Sequence, residues 1–223
     1  MGTTPIRTTT GPATTTMIEL TLLSWLSPVF PTGGYAYSGG LETAVAEGRM
    51  TGPEDLARRI GCVLGQGALW NDAVLAVAAW RGEDVCDLAL ALAGSAERLR
   101  ETVDQGRSFR DAAAYWVAPP RLPAEAPFPV ALGAFSAVAG IGVLPMCTTF
   151  LHGWASAQAQ AAIRLSVTGQ DGAARVLAGL QPLVAETAAR AAESDLDALG
   201  GFAPRPEIDA LRHETLHGRL FLS

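Results

Sequence analysis

The feature that most constrains the fold is a stretch from residue 126 to residue 163 that contains no Asp, Glu, Lys or Arg. A run of about 20 apolar residues is long enough to span a bilayer, but neither flank carries the cluster of positive charge typical of a span. Helix-breaking residues also interrupt the run, at Pro129, Gly133, Gly140, Gly142 and Pro145. The pattern therefore predicts a buried central pair of helices over residues 130–141 and 145–164, with small residues Gly133, Ala137 and Gly140 permitting close approach.

The remaining patterns predict an all-α protein. Hydrophobic residues make up 49% of the 223 residues, charged residues make up 17%, and Ala and Leu dominate over β-branched residues. Helical spacing recurs over residues 53–80, 87–93, 97–117 and 177–194, with Gly65 and Gly67 interrupting the first stretch and Pro182 in the first turns of the last. We therefore expect a single-domain bundle of about 8–10 helices over residues 18–223. A Thr-rich segment over residues 1–17 is expected to be disordered.

The charge and residue inventory excludes several function classes. The formal net charge is −6, and all sixteen basic residues are Arg, so the chain lacks both a basic surface for nucleic acid and any lysine chemistry. The three cysteines Cys62, Cys86 and Cys147 lack metal-ligand spacing, which predicts reduced, buried thiols in a cytoplasmic protein. We expect no membrane span and no cofactor.

One motif imitates a catalytic site. His213, Glu214 and His217 form the HExxH pattern that zinc proteases carry on a helix. Only six residues follow His217, and the one remaining histidine, His152, is far away in sequence. We therefore predict that the chain is not an enzyme. An HExxH zinc metalloprotease and weak metal binding by His213 and His217 stay open as alternatives.

Two blocks carry a specific family resemblance. The first begins as an apolar helical run near Leu22, breaks at Ser27-Pro28, crosses Gly33-Gly34 and restarts as a helix near Leu41. It resembles the N-terminal signature of the UreF family of urease accessory proteins, on Ser27, Pro28, Pro31, Gly33, Gly34, Tyr35, Tyr37, Ser38, Gly40, Leu41 and Glu42. The second block, residues 206–223, resembles that family's ending, on Pro206, Asp209, His213, Glu214, Arg219, Leu220 and Phe221.

The resemblance implies a non-enzymatic chaperone for urease maturation that forms a homodimer. It implies binding to UreD (also called UreH), recruitment of the nickel-carrying GTPase UreG, and docking of the complex on apo-urease so that nickel enters the active site. The expected partner contacts are Pro31, Gly33, Gly34, Tyr35, Tyr37, Ser38, Glu42, Arg212, His213, Glu214, Arg219, Leu220 and Phe221. Two states of the C-terminal residues stay open: they become ordered on UreD binding, or they pack on the body of the chain.

A second hypothesis concerns the charged stretch over residues 97–117. Charges of both signs recur at three- and four-residue intervals, which is typical of a solvated helix face with weak ion pairs. An arginine exposed on such a face can act as the finger of a GTPase-activating protein. Arg107 and Arg110 are the candidates for that role, with UreG as the substrate of the activation.

Overall fold

The computed structural model describes residues 12–223, with side chains from residue 16 onward. This part of the chain contains α-helices and no strand, which confirms the all-α prediction. The helices are α1 (Pro12–Trp25), α2 (Leu41–Ala46), α3 (Pro53–Gln66), α4 (Ala68–Trp80), α5 (Cys86–Ala91), α6 (Ala96–Ala113), α7 (Phe128–Val138), α8 (Val143–Arg164), α9 (Gln170–Glu193) and α10 (Pro204–His213). Two short 3₁₀ turns lie at Gly34–Ala36 and Leu196–Ala198.

Helix α4 is the most enclosed helix of the bundle. Its residues 73–79 are all buried, and it packs against α3, α7, α8 and α9. The closest approach is to α7, where a Cβ built on Gly133 would lie 2.1 Å from the backbone oxygen of Ala76. Glycine is therefore the residue that lets these two backbones touch, as the small residue at this position predicted.

Both helices of the predicted central pair are present, but each packs mainly against another helix. Helix α7 packs most extensively against α4 and α6, whereas α8 packs most extensively against α9. Of the three small residues, Gly133 lies in a helix contact, whereas Ala137 is exposed and Gly140 has open space around it. Periodicity thus located these helices without identifying their neighbours.

An aromatic cluster joins α1, α6 and α7. The ring of Trp25 meets Phe109 edge to face, with centroids 5.4 Å apart, and Phe135 lies 5.6 Å from Phe109. All three rings are fully or almost fully buried. Edge-to-face pairs add about 0.5–1.5 kcal/mol each beyond the burial of their area, so this cluster fixes the N-terminal helix on the bundle.

The stretch Pro53–Trp80 is interrupted where its glycines predicted a break. The break lies at Gly67, where an added Cβ would be 2.8 Å from the Cα of Val63, and Gly65 stays inside α3. Within residues 12–223 this is the one stretch long and apolar enough to cross a membrane, and 67% of its most apolar window is buried in the fold. Burial of that kind is typical of core helices.

Several boundaries differ from the predictions. Residues 1–11 of the expected tail lie outside the described residues, and α1 already begins at Pro12. Helix α9 begins at Gln170, so Pro182 lies in its interior and not in its first turns. A proline there removes one i to i−4 hydrogen bond, which the packing of α9 on α3 and α8 offsets. Cys86 and Cys147 are buried and Cys62 is half-buried, and all three thiols are free.

Candidate functional site: the contact between the two signature blocks

The two signature blocks lie against each other in the fold. We name residues 26–40 the signature loop and residues 214–223 the tail, which follows α10. Gly40 has a φ of 75°, and an added Cβ would lie 2.4 Å from the backbone nitrogen of Ala210 in α10. Only glycine combines this left-handed conformation with such a close approach. The glycine at position 40 of the first block is therefore required by its contact with α10, the helix at the start of the second block.

Glu42, at the start of α2, holds the tail through its carboxylate. The N–H groups of Leu220 and Phe221 donate to its two oxygens over 2.7 and 3.0 Å, and His213 Nε2 lies 3.1 Å from Oε2. Burial acts to raise the pKa of Glu42, but the hydrogen bonds from Leu220, His213 and Phe221 outweigh it and hold that pKa below its ordinary value. The carboxylate is thus kept ionised by the segment that it anchors.

His213 ends α10 and lies between two carboxylates. Its side chain is fully buried, and its Nδ1 lies 2.7 Å from Glu97 Oε2 while its Nε2 faces Glu42. The second oxygen of Glu97 accepts a hydrogen bond from Arg219 over 2.6 Å. One histidine therefore links α2 to α6, and both of its carboxylate partners also bind the tail.

The end of the tail is extended along the signature loop. Leu222 N–H donates to Ala36 O over 2.8 Å, and Ser38 N–H donates to Ser223 O over 2.7 Å. Phe221 is 3% exposed, and the guanidinium of Arg164 stacks 4.2 Å above its ring while donating to Tyr35 O. In this structure the tail packs on the body of the chain, which is the second of the two predicted states.

A second group of buried charges anchors the middle of α10. Asp209 is fully buried and accepts hydrogen bonds from Arg49 over 2.5 Å and from Arg59. Arg59 also donates to Gly39 O over 2.8 Å, which ties the signature loop to α3. Burial lowers the pKa of Arg59, and Asp209 opposes that shift.

The interpretation of α6 as a solvated face was wrong for its first turns. Glu97 and Glu101 are buried, and Arg98 pairs with Asp72 of α4. Burial raises the pKa of both Asp72 and Glu101. A signal was available in the sequence, because positions 97, 101 and 105 continue the four-residue spacing of the buried Phe109. The charges on that stripe face the protein interior.

The HExxH spacing does not form a metal site in the structure. Helix α10 ends at His213, so His217 lies beyond the helix and is exposed. Both ring nitrogens of His213 already face carboxylates. Within residues 12–223 no group of three or more His, Cys, Asp or Glu side chains is arranged to hold a metal ion. The two histidines therefore do not share the helix face on which the zinc-protease interpretation depended.

The residues expected to contact partners divide into two groups. The exposed group is Pro31, Tyr35, Arg212, Glu214, Arg219 and Leu220, with Gly33 and Gly34 half-buried. The buried group is Tyr37, Ser38, Glu42, His213 and Phe221. Burial keeps the second group from a partner's surface in this conformation, and their contacts instead hold the tail. Of the two candidate fingers, Arg107 is exposed, whereas Arg110 donates to the carbonyls of Pro123 and Ala124.

Comparison with known proteins identifies the family. The UreF family model matches residues 50–181. Urease accessory protein UreF of Rhizobium leguminosarum bv. trifolii is 47% identical to this chain, over 92% of this chain and 96% of its own length. The UreF proteins of Agrobacterium fabrum and Brucella ovis are 45% and 44% identical over the same share of this chain, and over 96% and 93% of their own lengths. The chain therefore belongs to the UreF family of urease accessory proteins.

Proposed function

We propose that this chain is a non-enzymatic, cytoplasmic scaffold in urease maturation. It forms a homodimer, binds UreD (UreH) and, in that complex, recruits UreG to apo-urease for nickel insertion. Family membership supports the maturation role. The observation that carries the assignment of the contact surface is that the signature loop and the tail lie side by side with apolar side chains exposed.

This exposed strip consists of Tyr35, Leu220 and Leu222. Tyr35 is 71% exposed, and Leu220 and Leu222 are 54% and 57% exposed, although their neighbours Tyr37, Phe221 and Ser223 are buried. Their backbones are fixed by hydrogen bonds to Arg164, Glu42 and Ala36. Apolar side chains held on an ordered backbone lose little conformational entropy on binding, which favours a protein partner. We assign this strip to UreD.

The test combines binding with urease loading. Tyr35→Ala and Leu220→Asp change only exposed side chains, so the fold is expected to persist while UreD co-purification is lost and urease stays nickel-poor. Tyr115→Ala is the matched control, because Tyr115 is also an exposed tyrosine, at 90%, but lies after α6. Full UreD binding and full nickel content in both strip variants would remove the assignment.

The second candidate function is activation of UreG by Arg107. Its guanidinium is exposed and belongs to none of the ion pairs seen within residues 12–223, as a finger that enters another active site requires. Within the assembled complex, Arg107→Ala would then slow GTP hydrolysis by about 10³-fold or more. Arg110→Ala serves as the control, because Arg110 already binds the 123–124 backbone. An unchanged rate of GTP hydrolysis in Arg107→Ala would leave the scaffold role as the only proposed function.

A further inference from the structure

We infer that His213 is a proton-dependent latch that holds the tail closed. This inference concerns the chain alone and does not rest on the proposed function. The observation behind it is the position of one buried imidazole between Glu42 and Glu97. The same two carboxylates bind Arg219, Leu220 and Phe221 of the tail.

The number of N–H groups on the ring decides whether both contacts can exist. A carboxylate only accepts hydrogen bonds, and a neutral imidazole has one N–H and one lone pair. At 2.7 Å from Glu97 and 3.1 Å from Glu42, a neutral ring would direct its lone pair at one carboxylate. Only the doubly protonated ring donates to both, so the closed arrangement binds one proton more than an arrangement with a free, neutral His213.

The additional proton on His213 supplies the positive charge that balances the carboxylate of Glu42. No Arg contacts Glu42 in the described part of the chain, so His213 is the cation available to it. From α6, Glu97 is shared with Arg219 and Glu101 is paired with Arg98. On its own helix, Asp209 is neutralised by Arg49 and Arg59, and Arg212 is paired with Glu47.

The direction of the pH effect follows from the donors. As pH rises and the ring loses one proton, a lone pair faces a carboxylate and the tail loses an anchor. Release would expose Phe221 and free Arg219 from Glu97, so the latch changes both the apolar area and the charge of this surface. On the acid side, the tail stays closed until Glu42 is protonated, below the ordinary pKa of a glutamate.

Hydrogen exchange of the full-length chain tests the latch. Protection factors for residues 214–223, corrected for intrinsic exchange, are measured from about pH 6 to about pH 9. We expect protection to fall by about tenfold or more over this range while α4 stays protected. His213→Gln is expected to leave the tail unprotected throughout, and His217→Gln, which alters an exposed histidine four residues away, is expected to keep the native profile.

A measurement on the unmodified protein covers the case in which His213→Gln does not fold. Nitrogen-15 spectra of the imidazole report directly whether both ring nitrogens carry protons. We expect both to be protonated while the tail is protected, and one to lose its proton in the pH range in which protection falls. A neutral His213 in a protected tail, or a protection factor independent of pH, would overturn the latch.

Discussion

Different interactions stabilise the helical core and the C-terminal segment. We define the C-terminal segment as α10 together with the tail. Helix α4 buries an almost unbroken apolar surface, and α7 touches it through Gly133. The buried residues of α10 are Pro206, Asp209 and His213, and a cavity of about 60 Å³ lies between this helix and α3, α4 and α6. Apolar burial is insensitive to pH, whereas buried ion pairs are stable only with both partners charged. We therefore expect most of the core to keep its structure as pH changes, whereas the packing of the C-terminal segment depends on the ionisation of its buried charges.

The largest effect is expected where two core backbones touch. Gly133→Ala places a Cβ 2.1 Å from the Ala76 carbonyl oxygen, so α4 and α7 must separate. We expect the free energy of unfolding to fall by about 3 kcal/mol or more, measured by chemical denaturation. Gly179→Ala in α9 is the control, because no atom outside the local backbone of α9 lies within 4 Å of that Cβ, and it should stabilise the chain slightly. Equal values for the two variants would refute close packing as the basis of the core.

The second largest effect distinguishes the stability of the C-terminal segment from that of the core. Asp209→Ala leaves the buried Arg59 without its carboxylate, a change that costs about 3 kcal/mol when the structure cannot open. Because the segment can open, we expect most of this loss as faster hydrogen exchange in residues 204–223. The free energy of global unfolding should change by less. A global loss of the full amount, with exchange in α10 no faster than in α4, would mean that the two regions unfold together.

The third effect is the response of the tail to acid. The pKa of Glu42 is lowered in the folded chain, so its stabilisation is present above about 4.5, its ordinary value, and is lost as pH falls through the lower folded value. We expect tail protection to persist to below pH 4.5 and to disappear before the core unfolds. Glu42→Gln should abolish this acid transition, whereas Glu54→Gln, which changes an exposed glutamate in α3, should preserve it. An acid transition unchanged in Glu42→Gln would contradict the assignment.

The smallest expected effect is an increase in stability. The Thr187 hydroxyl is fully buried in α9 and has no hydrogen-bond partner among the described residues. Thr187→Val replaces that hydroxyl by a methyl group and is expected to stabilise the chain by about 1 kcal/mol in a thermal or chemical melt. Thr187→Ser keeps the hydroxyl and should not stabilise it. A destabilised Thr187→Val would show that a buried polar contact matters in the core as well.

The sequence predicted the core better than it predicted the C-terminal site. Helix α4, the break at Gly67 and the contact at Gly133 follow from local spacing and from residue size, which a linear sequence carries. The neighbours of α7 and α8 do not follow, because periodicity identifies an apolar face without naming what covers it.

The buried charges were missed for a related reason. Glu97 shares the four-residue spacing of the buried Phe109, but its charge favoured a solvated position, and the histidine that partners it, His213, is 116 residues away. The family resemblance rested on the two signature blocks taken separately. It did not indicate that Glu42 and His213 bind each other, since that contact joins residues 171 apart through the fold.

The most direct test of this difference between the core and the C-terminal segment is native-state hydrogen exchange across a series of low denaturant concentrations. We predict that amides of residues 214–223 exchange through a local opening with a free energy below that of global unfolding, whereas amides of α4 exchange only through global unfolding. If the tail and α4 exchange with the same free energy and the same denaturant dependence, the C-terminal segment opens only when the core unfolds. The distinction between the two regions is then wrong.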